Sequence, residues 1–101
     1  MDSAEKIVRV RVSGRVQGVG FRAFTLRHAE ARGISGWVRN CRNGDVEAVF
    51  AGSEDAVAML CELCRRGPPQ AKVDRFEIFE ADLSALAEAG GLPGFRQVAT
   101  E

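Results

Sequence analysis

Apolar and polar residues alternate along Lys6 to Ser13, strictly so from Val8 onward, with Val8, Val10 and Val12 on one side and Arg9 and Arg11 on the other. A period of two marks a strand with one buried face. From Phe21 to Arg32 the period becomes helical: Phe21, Phe24, Thr25, His28 and Ala29 fall on or near one stripe, and Gly33 supplies the stop. Ile34 to Cys41 and Asp45 to Ala51 read as two more strands, joined at Arg42-Asn43-Gly44. A two-residue Asn-Gly turn sets Asn40 opposite Glu47. A three-residue loop with Gly44 left-handed instead pairs Arg39 with Glu47 and Val38 with Ala48. The second register keeps polar against polar and apolar against apolar, so it is preferred. It puts Asn40 on the same face as Val38, at the strand end.

Ser53 reads as a helix N-cap, with Glu54 and Asp55 in the first turn and Arg65 and Arg66 in the last. Val57, Leu60, Cys61 and Cys64 form the stripe that helix buries, and Gly67-Pro68-Pro69 ends it. Val73 to Glu80 is a fourth strand with Phe76 and Ile78 facing one way. Asp82 to Gly91 is weakly helical, and Phe95 to Ala99 reads as a short closing strand. The order β-α-β-β-α-β plus a tail predicts an α+β fold: a ferredoxin-like split βαβ sandwich, an antiparallel sheet with two helices on one face and the first and third strands central. The loop after the first strand then lies near the end of the second, so Asn40 approaches Arg22. A length of 101 residues predicts one domain, 1–101, able to build a core without disulfides or metal.

Charge narrows the choice of partner. Fourteen basic residues balance fourteen acidic ones, which argues against a dedicated nucleic-acid binder. No apolar run approaches the roughly 20 residues of a membrane helix. The first residues lack a signal-peptide stretch, so a cytoplasmic location is expected. Cys41, Cys61 and Cys64 make an odd count, which fits reduced thiols. Cys61 and Cys64 form a C-x-x-C, but within a helical pattern and without a second ligand pair. Packing is the expected role of these two thiols.

The densest chemistry is Gly14-Arg15-Val16-Gln17-Gly18-Val19-Gly20-Phe21-Arg22, between the first strand and the first helix. Three glycines in seven positions allow a tight turn whose N–H groups face inward ahead of a helix N-terminus, which is an anion cradle. Arg22 adds a planar fork of donors that suits phosphate oxygens. Two looser matches fail on context. Gly18 to Ala23 fits a dinucleotide G-x-G-x-x-A, but Asn40 stands where an acidic residue belongs and the chain is too short. Gly33 to Gly36 fits a GxxG loop of RNA-binding domains, without the matching topology or charge.

Together with Gly36-Trp37-Val38-Arg39-Asn40 and Gly44-Asp45-Val46-Glu47, this loop resembles the acylphosphatase family, whose pattern is G-x-V-Q-G-V-x-F-R, then G-W-V-x-N, then G-x-V-E. Gly67-Pro68-Pro69 with Ala71 and Val73 extends the likeness, which covers Val8 to Phe79. The resemblance implies hydrolysis of the carboxyl–phosphate bond of small acyl phosphates, with no metal, cofactor or covalent enzyme intermediate. It assigns Arg22 to the phosphoryl group, Asn40 to the attacking water, and the backbone amides of Gln17, Gly18, Val19 and Gly20 to the phosphate cradle. Nothing in the sequence calls for more than a monomer, and the charge balance and lack of a long apolar run predict no nucleic-acid or membrane partner. Ala81 to Gly94 is longer than the family pattern requires, and Cys41 places an oxidisable thiol beside Asn40. The competing expectation is a non-hydrolysing anion-binding or RNA-binding module on the same fold. An RNA-binding sheet needs exposed aromatics on its central strands, whereas the first strand exposes arginines and tyrosine is absent. Acylphosphatase-like domains also open larger carbamoyl-transfer maturation enzymes. No zinc-finger pattern follows here, so a stand-alone enzyme is expected.

Overall fold

The computed structural model describes residues 5–90 and 94–101. The chain forms β1 (Glu5–Arg15), α1 (Phe21–Ala31), β2 (Ser35–Asn40), β3 (Val46–Ser53), α2 (Glu54–Arg66), β4 (Lys72–Glu80), α3 (Leu83–Ala87) and β5 (Phe95–Gln97). One sheet in the order β4-β1-β3-β2-β5 carries all five strands. As expected, β1 and β3 are central and pair antiparallel, β4 flanks β1, and β2 flanks β3.

Alternation in β1 becomes burial. Val8, Val10 and Val12 are almost fully buried beneath α1 and α2, with Val46, Ala48 and Phe50 of β3 beside them. Phe21, Thr25 and Ala29 of α1 and Val57, Leu60, Cys61 and Cys64 of α2 close the core from above. The caps of α2 are those the sequence indicates: the Ser53 hydroxyl accepts from Ala56 N–H at 3.2 Å, and Gly67 follows the last turn. The hairpin takes the three-residue register, with Arg39 opposite Glu47 and Val38 opposite Ala48, and Gly44 at φ 102°. Side-chain segregation across the two faces decides between registers, because a one-residue slip would bury Arg39.

The C-terminal part departs from a purely antiparallel sheet with helices on one face. β5 runs parallel to β2 at the edge opposite β4. A parallel pairing needs a crossover, and α3 lies on the face that α1 and α2 leave open. There Ala85 and Leu86 cover Trp37, Val49 and Ala51 in a second small core. Trp37, 1% exposed, donates its indole N–H to the Ala85 carbonyl oxygen at 2.8 Å. The weakly helical stretch is thus helical only over Leu83–Ala87, begun by the Asp82 side chain, and its expected Gly91 end lies outside the described residues. Beyond β5 the backbone continues along β2: Val98 N–H donates to Val38 O and Glu101 N–H to Asn40 O.

On the same open face, Glu47 is only 5% exposed and sits among arginines. Its carboxylate accepts from Arg9 at 2.7 Å and Arg39 at 2.8 Å, with Arg11 at 3.7 Å. The Arg39 guanidinium stacks over Trp37, 4.6 Å from the ring centre. Burial alone would push the Glu47 carboxyl up, but the hydrogen bonds and charges of Arg39 and Arg9 outweigh it and hold the group below its ordinary value. This network ties β1, β2 and β3 together behind the strand ends that carry the site.

Candidate active site

The regular pairing of β1 with β4 breaks between Ser13 and Gly14 in a β-bulge, a device that bends a strand and re-aims the residues after it. Gly14 has φ 121°, and a Cβ there would collide with the Lys72 carbonyl oxygen of β4. Glycine is therefore required by both conformation and space. From this bend the chain runs through residues 16–20 into α1, entering the helix at Gly20 with φ 81°.

The N-terminus of α1 is unlike those of α2 and α3. No side chain caps it, and no acidic residue lies in its first turn, whereas Ser53 and Asp82 cap the other two. The first N–H groups of a helix have no partner within it and carry the positive end of its dipole. Those of α1 open onto a cavity of about 150 Å³ lined by Val16, Gly18, Gly20, Phe21, Arg22, Ala23, Asn40 and Gln97. Arg22 makes no ion pair or side-chain hydrogen bond among the described residues, although Arg9, Arg11 and Arg39 are all engaged with carboxylates. The Asn40 amide is likewise without a hydrogen bond among the described residues. Its backbone is held by pairing with Val46 and by the Glu101 N–H. The site thus combines one free guanidinium, one free amide and an uncapped helix start.

Of the sequence-derived site residues, Gly18, Gly20, Arg22 and Asn40 meet in this cavity. Gln17 and Val19 do not line it. The Gln17 side-chain amide instead donates to the carbonyl oxygens of Cys41 at 2.7 Å and Asp45 at 2.8 Å, fastening the loop to the β2–β3 turn. Val19 is half-buried and packs against the main core. Val16 and Phe21, which also line it, stand in the same loop motif without a role assigned to them, whereas Gln97 carries no signal in the sequence that marks it for the site. Gln97 reaches the cavity because β5 docks on β2, a long-range pairing that no local pattern announces.

The remaining titratable groups lie elsewhere. His28 makes an edge contact with the Phe24 ring and lies within hydrogen-bond reach of Arg32, outside the cavity lining. Cys61 and Cys64 are buried free thiols, and burial pushes them up to about 11 and about 12. Their spacing makes core, not redox chemistry. Among the described residues no group of three or more His, Cys, Asp or Glu side chains is placed to hold a metal ion, and no helix is long and apolar enough to cross a membrane.

A ferredoxin-like α+β domain thus gathers a free arginine, a free amide and an uncapped helix N-terminus around one small cavity. The acylphosphatase family model matches residues 8–89, and the chain belongs to that family. An acylphosphatase from Rhodopseudomonas palustris is 49% identical over 86% of this chain and 90% of its own length. One from Rubrobacter xylanophilus is 52% identical over 94% and 84%. The solved acylphosphatase from Coxiella burnetii superposes with a TM-score of 0.81 at 37% identity, covering 93% of each chain. The fold alone recurs in full-length HypF, with a TM-score of 0.84 at 22% identity over 13% of that chain.

Proposed function

We propose that this protein hydrolyses the carboxyl–phosphate bond of small acyl phosphates, releasing a carboxylate and inorganic phosphate. The observation that carries this is the convergence of Arg22, the open N-terminus of α1 and Asn40 on one small cavity. Arg22 and the backbone amides of the loop and first helical turn hold the phosphoryl oxygens. They are fixed donors aimed where negative charge spreads in the transition state. Asn40, at the end of β2, orients the water, since an amide accepts one proton-bearing contact while donating another. The water oxygen bonds to phosphorus as the bond from phosphorus to the acyl oxygen breaks, and that electron pair leaves on the carboxylate. The water's proton passes to a phosphoryl oxygen. A carboxylate leaves readily without a general acid, which accords with a cavity whose lining, among the described residues, contains no histidine, aspartate or glutamate.

The roles of Gly18 and Gly20 are to bring backbone close to the phosphate. Gln17 acts through its side chain on the β2–β3 turn, and Val19 through packing. The chain works as a single catalytic domain, 1–101, and as a monomer, since every residue invoked comes from one copy. A cytoplasmic location is supported by three free cysteines, as expected in a reducing compartment. An RNA-binding role for the sheet is disfavoured, because the central strands β1 and β3 present Arg9, Arg11, Glu47 and Val49 on the open face and no aromatic, while Trp37 of β2 lies beneath α3.

The test is phosphate release from benzoyl phosphate against the spontaneous rate. Wild type is expected to exceed it greatly, and Arg22→Ala to lose on the order of a hundredfold or more in kcat/KM, the usual cost of removing a transition-state oxyanion donor. A folded wild-type protein that binds phosphate but hydrolyses no faster than buffer would leave an anion-binding module.

A further inference from the structure

The cavity that holds Arg22 and Asn40 is small. Organic ligands usually occupy roughly 300–1,000 Å³, and about 150 Å³ accommodates the phosphoryl end while the body of the acyl group extends out. Directly beside it lies a second concavity of about 380 Å³, lined by Arg15, Gly18, Val19 and Gln70. Gly18 lines both, so the two meet at this residue. On the reading of acyl phosphate hydrolysis given above, we propose that this second concavity is the acyl subsite. It selects acyl phosphates whose acyl group carries an anionic terminus of its own.

Three features build the subsite. Arg15 is exposed and makes no ion pair or side-chain hydrogen bond among the described residues. Arg9, Arg11, Arg39 and Arg65 are each paired with a carboxylate. Across the strand pair, Arg15 stands opposite Lys72, a second cation without an ion pair among the described residues. Asp74, the nearest carboxylate along β4, forms no ion pair with either. Gln70 is presented by a hydrogen-bonded turn in which Ala71 N–H donates to Pro68 O at 2.9 Å, with Pro69 and Gln70 as its central residues. Proline at the first central position pre-sets such a turn, so the backbone that carries Gln70 is fixed beside the concavity. Val19, packed on the core, gives the floor a fixed apolar patch. A short methylene chain on Val19 with a carboxylate or second phosphate reaching Arg15 and Gln70 matches this lining.

Succinyl phosphate, whose acyl group ends in a carboxylate, and acetyl phosphate, whose acyl group ends in a methyl, separate the possibilities. Wild type is expected to favour succinyl phosphate in kcat/KM. Arg15→Ala should lower that value about tenfold, in line with loss of a charged hydrogen bond, and change acetyl phosphate by less than about twofold. Gln70→Ala leaves the electrostatic field of the protein unchanged, so a selective loss of succinyl phosphate turnover in that variant marks direct contact. Equal losses for both substrates in Arg15→Ala, or an unchanged succinyl-to-acetyl ratio in Gln70→Ala, would overturn the subsite. Acetyl phosphate turnover with no wild-type preference would also overturn it while leaving acyl phosphate hydrolysis standing. Hydrolysis of neither substrate by folded wild type would sink both.

Discussion

Replacing Gln17 tests how the loop is fastened to the strand that carries Asn40. Among the described residues, the hydrogen bonds joining residues 16–20 to the β2–β3 turn are the two donated by the Gln17 amide, at 2.7 and 2.8 Å. Gln17→Ala removes both. Neither carbonyl is left orphaned, because Cys41 O still accepts from Gly44 N–H and Asp45 O from Cys41 N–H. The cost is therefore the ordinary net worth of two hydrogen bonds, about 2 kcal/mol in all. For a chain of this size that lowers Tm by about 8–16 °C. Gln17→Glu keeps the shape but puts a carboxylate oxygen against two carbonyl oxygens. At pH 7 it should be less stable than Gln17→Ala, and it should recover below about pH 4, where the carboxyl gains a proton to donate. Urea unfolding of the three proteins at pH 7 and pH 4 measures this. In kinetics, a loosened loop should lower kcat for benzoyl phosphate while the inhibition constant of inorganic phosphate, set by Arg22 and local amides, stays within a few-fold. Gln17→Glu as stable as wild type at pH 7 would refute the reasoning.

Other parts of the structure give sharp expectations. Glu47→Ala leaves Arg9 and Arg39 facing each other without their buried carboxylate and should cost about 3 kcal/mol or more in denaturant unfolding. Because the Glu47 carboxyl is held below its unfolded value, its stabilisation is present at neutral pH. It is lost as pH falls through the folded value, since the unfolded chain then binds more protons; Glu47→Gln should flatten the acid limb of the stability curve. With Cys61 and Cys64 raised to about 11 and about 12, thiol labelling of the native protein at pH 8 should leave both unmodified until unfolding. Their effect on stability has the opposite pH sense: between the unfolded value near 9 and those raised values, stability falls as pH rises. Trp37→Phe should cost about 1–3 kcal/mol by calorimetry, because the Ala85 carbonyl loses its indole partner beneath α3.

The parts of this fold legible in the sequence are those set by local periodicity and by segregation of faces. Val8, Val10 and Val12 declare the buried side of β1, and Ser53 and Gly67 bracket α2. The pairing of Arg39 with Glu47 follows from keeping charges off the core face. The parallel docking of β5 on β2 was not legible, because three residues carry no period and the pairing is long-range. The same docking brings Gln97 to the cavity, so that lining residue was hidden for the same reason. Gly18, Gly20, Arg22 and Asn40 were readable as one group because two spaced motifs and the topology converge on them. The side chain of Gln17 was not: a sequence motif specifies that an amide stands there, and only the folded turn shows that it reaches two carbonyls.

The most direct test of the account compares Asn40→Ala with wild type in benzoyl phosphate turnover and in competitive inhibition by inorganic phosphate. A water-orienting amide predicts that kcat falls on the order of a hundredfold while the phosphate inhibition constant stays within about threefold, because Arg22 and the N-terminus of α1 still hold the anion. Unchanged kcat in a folded Asn40→Ala protein, or loss of phosphate affinity in step with kcat, would contradict it.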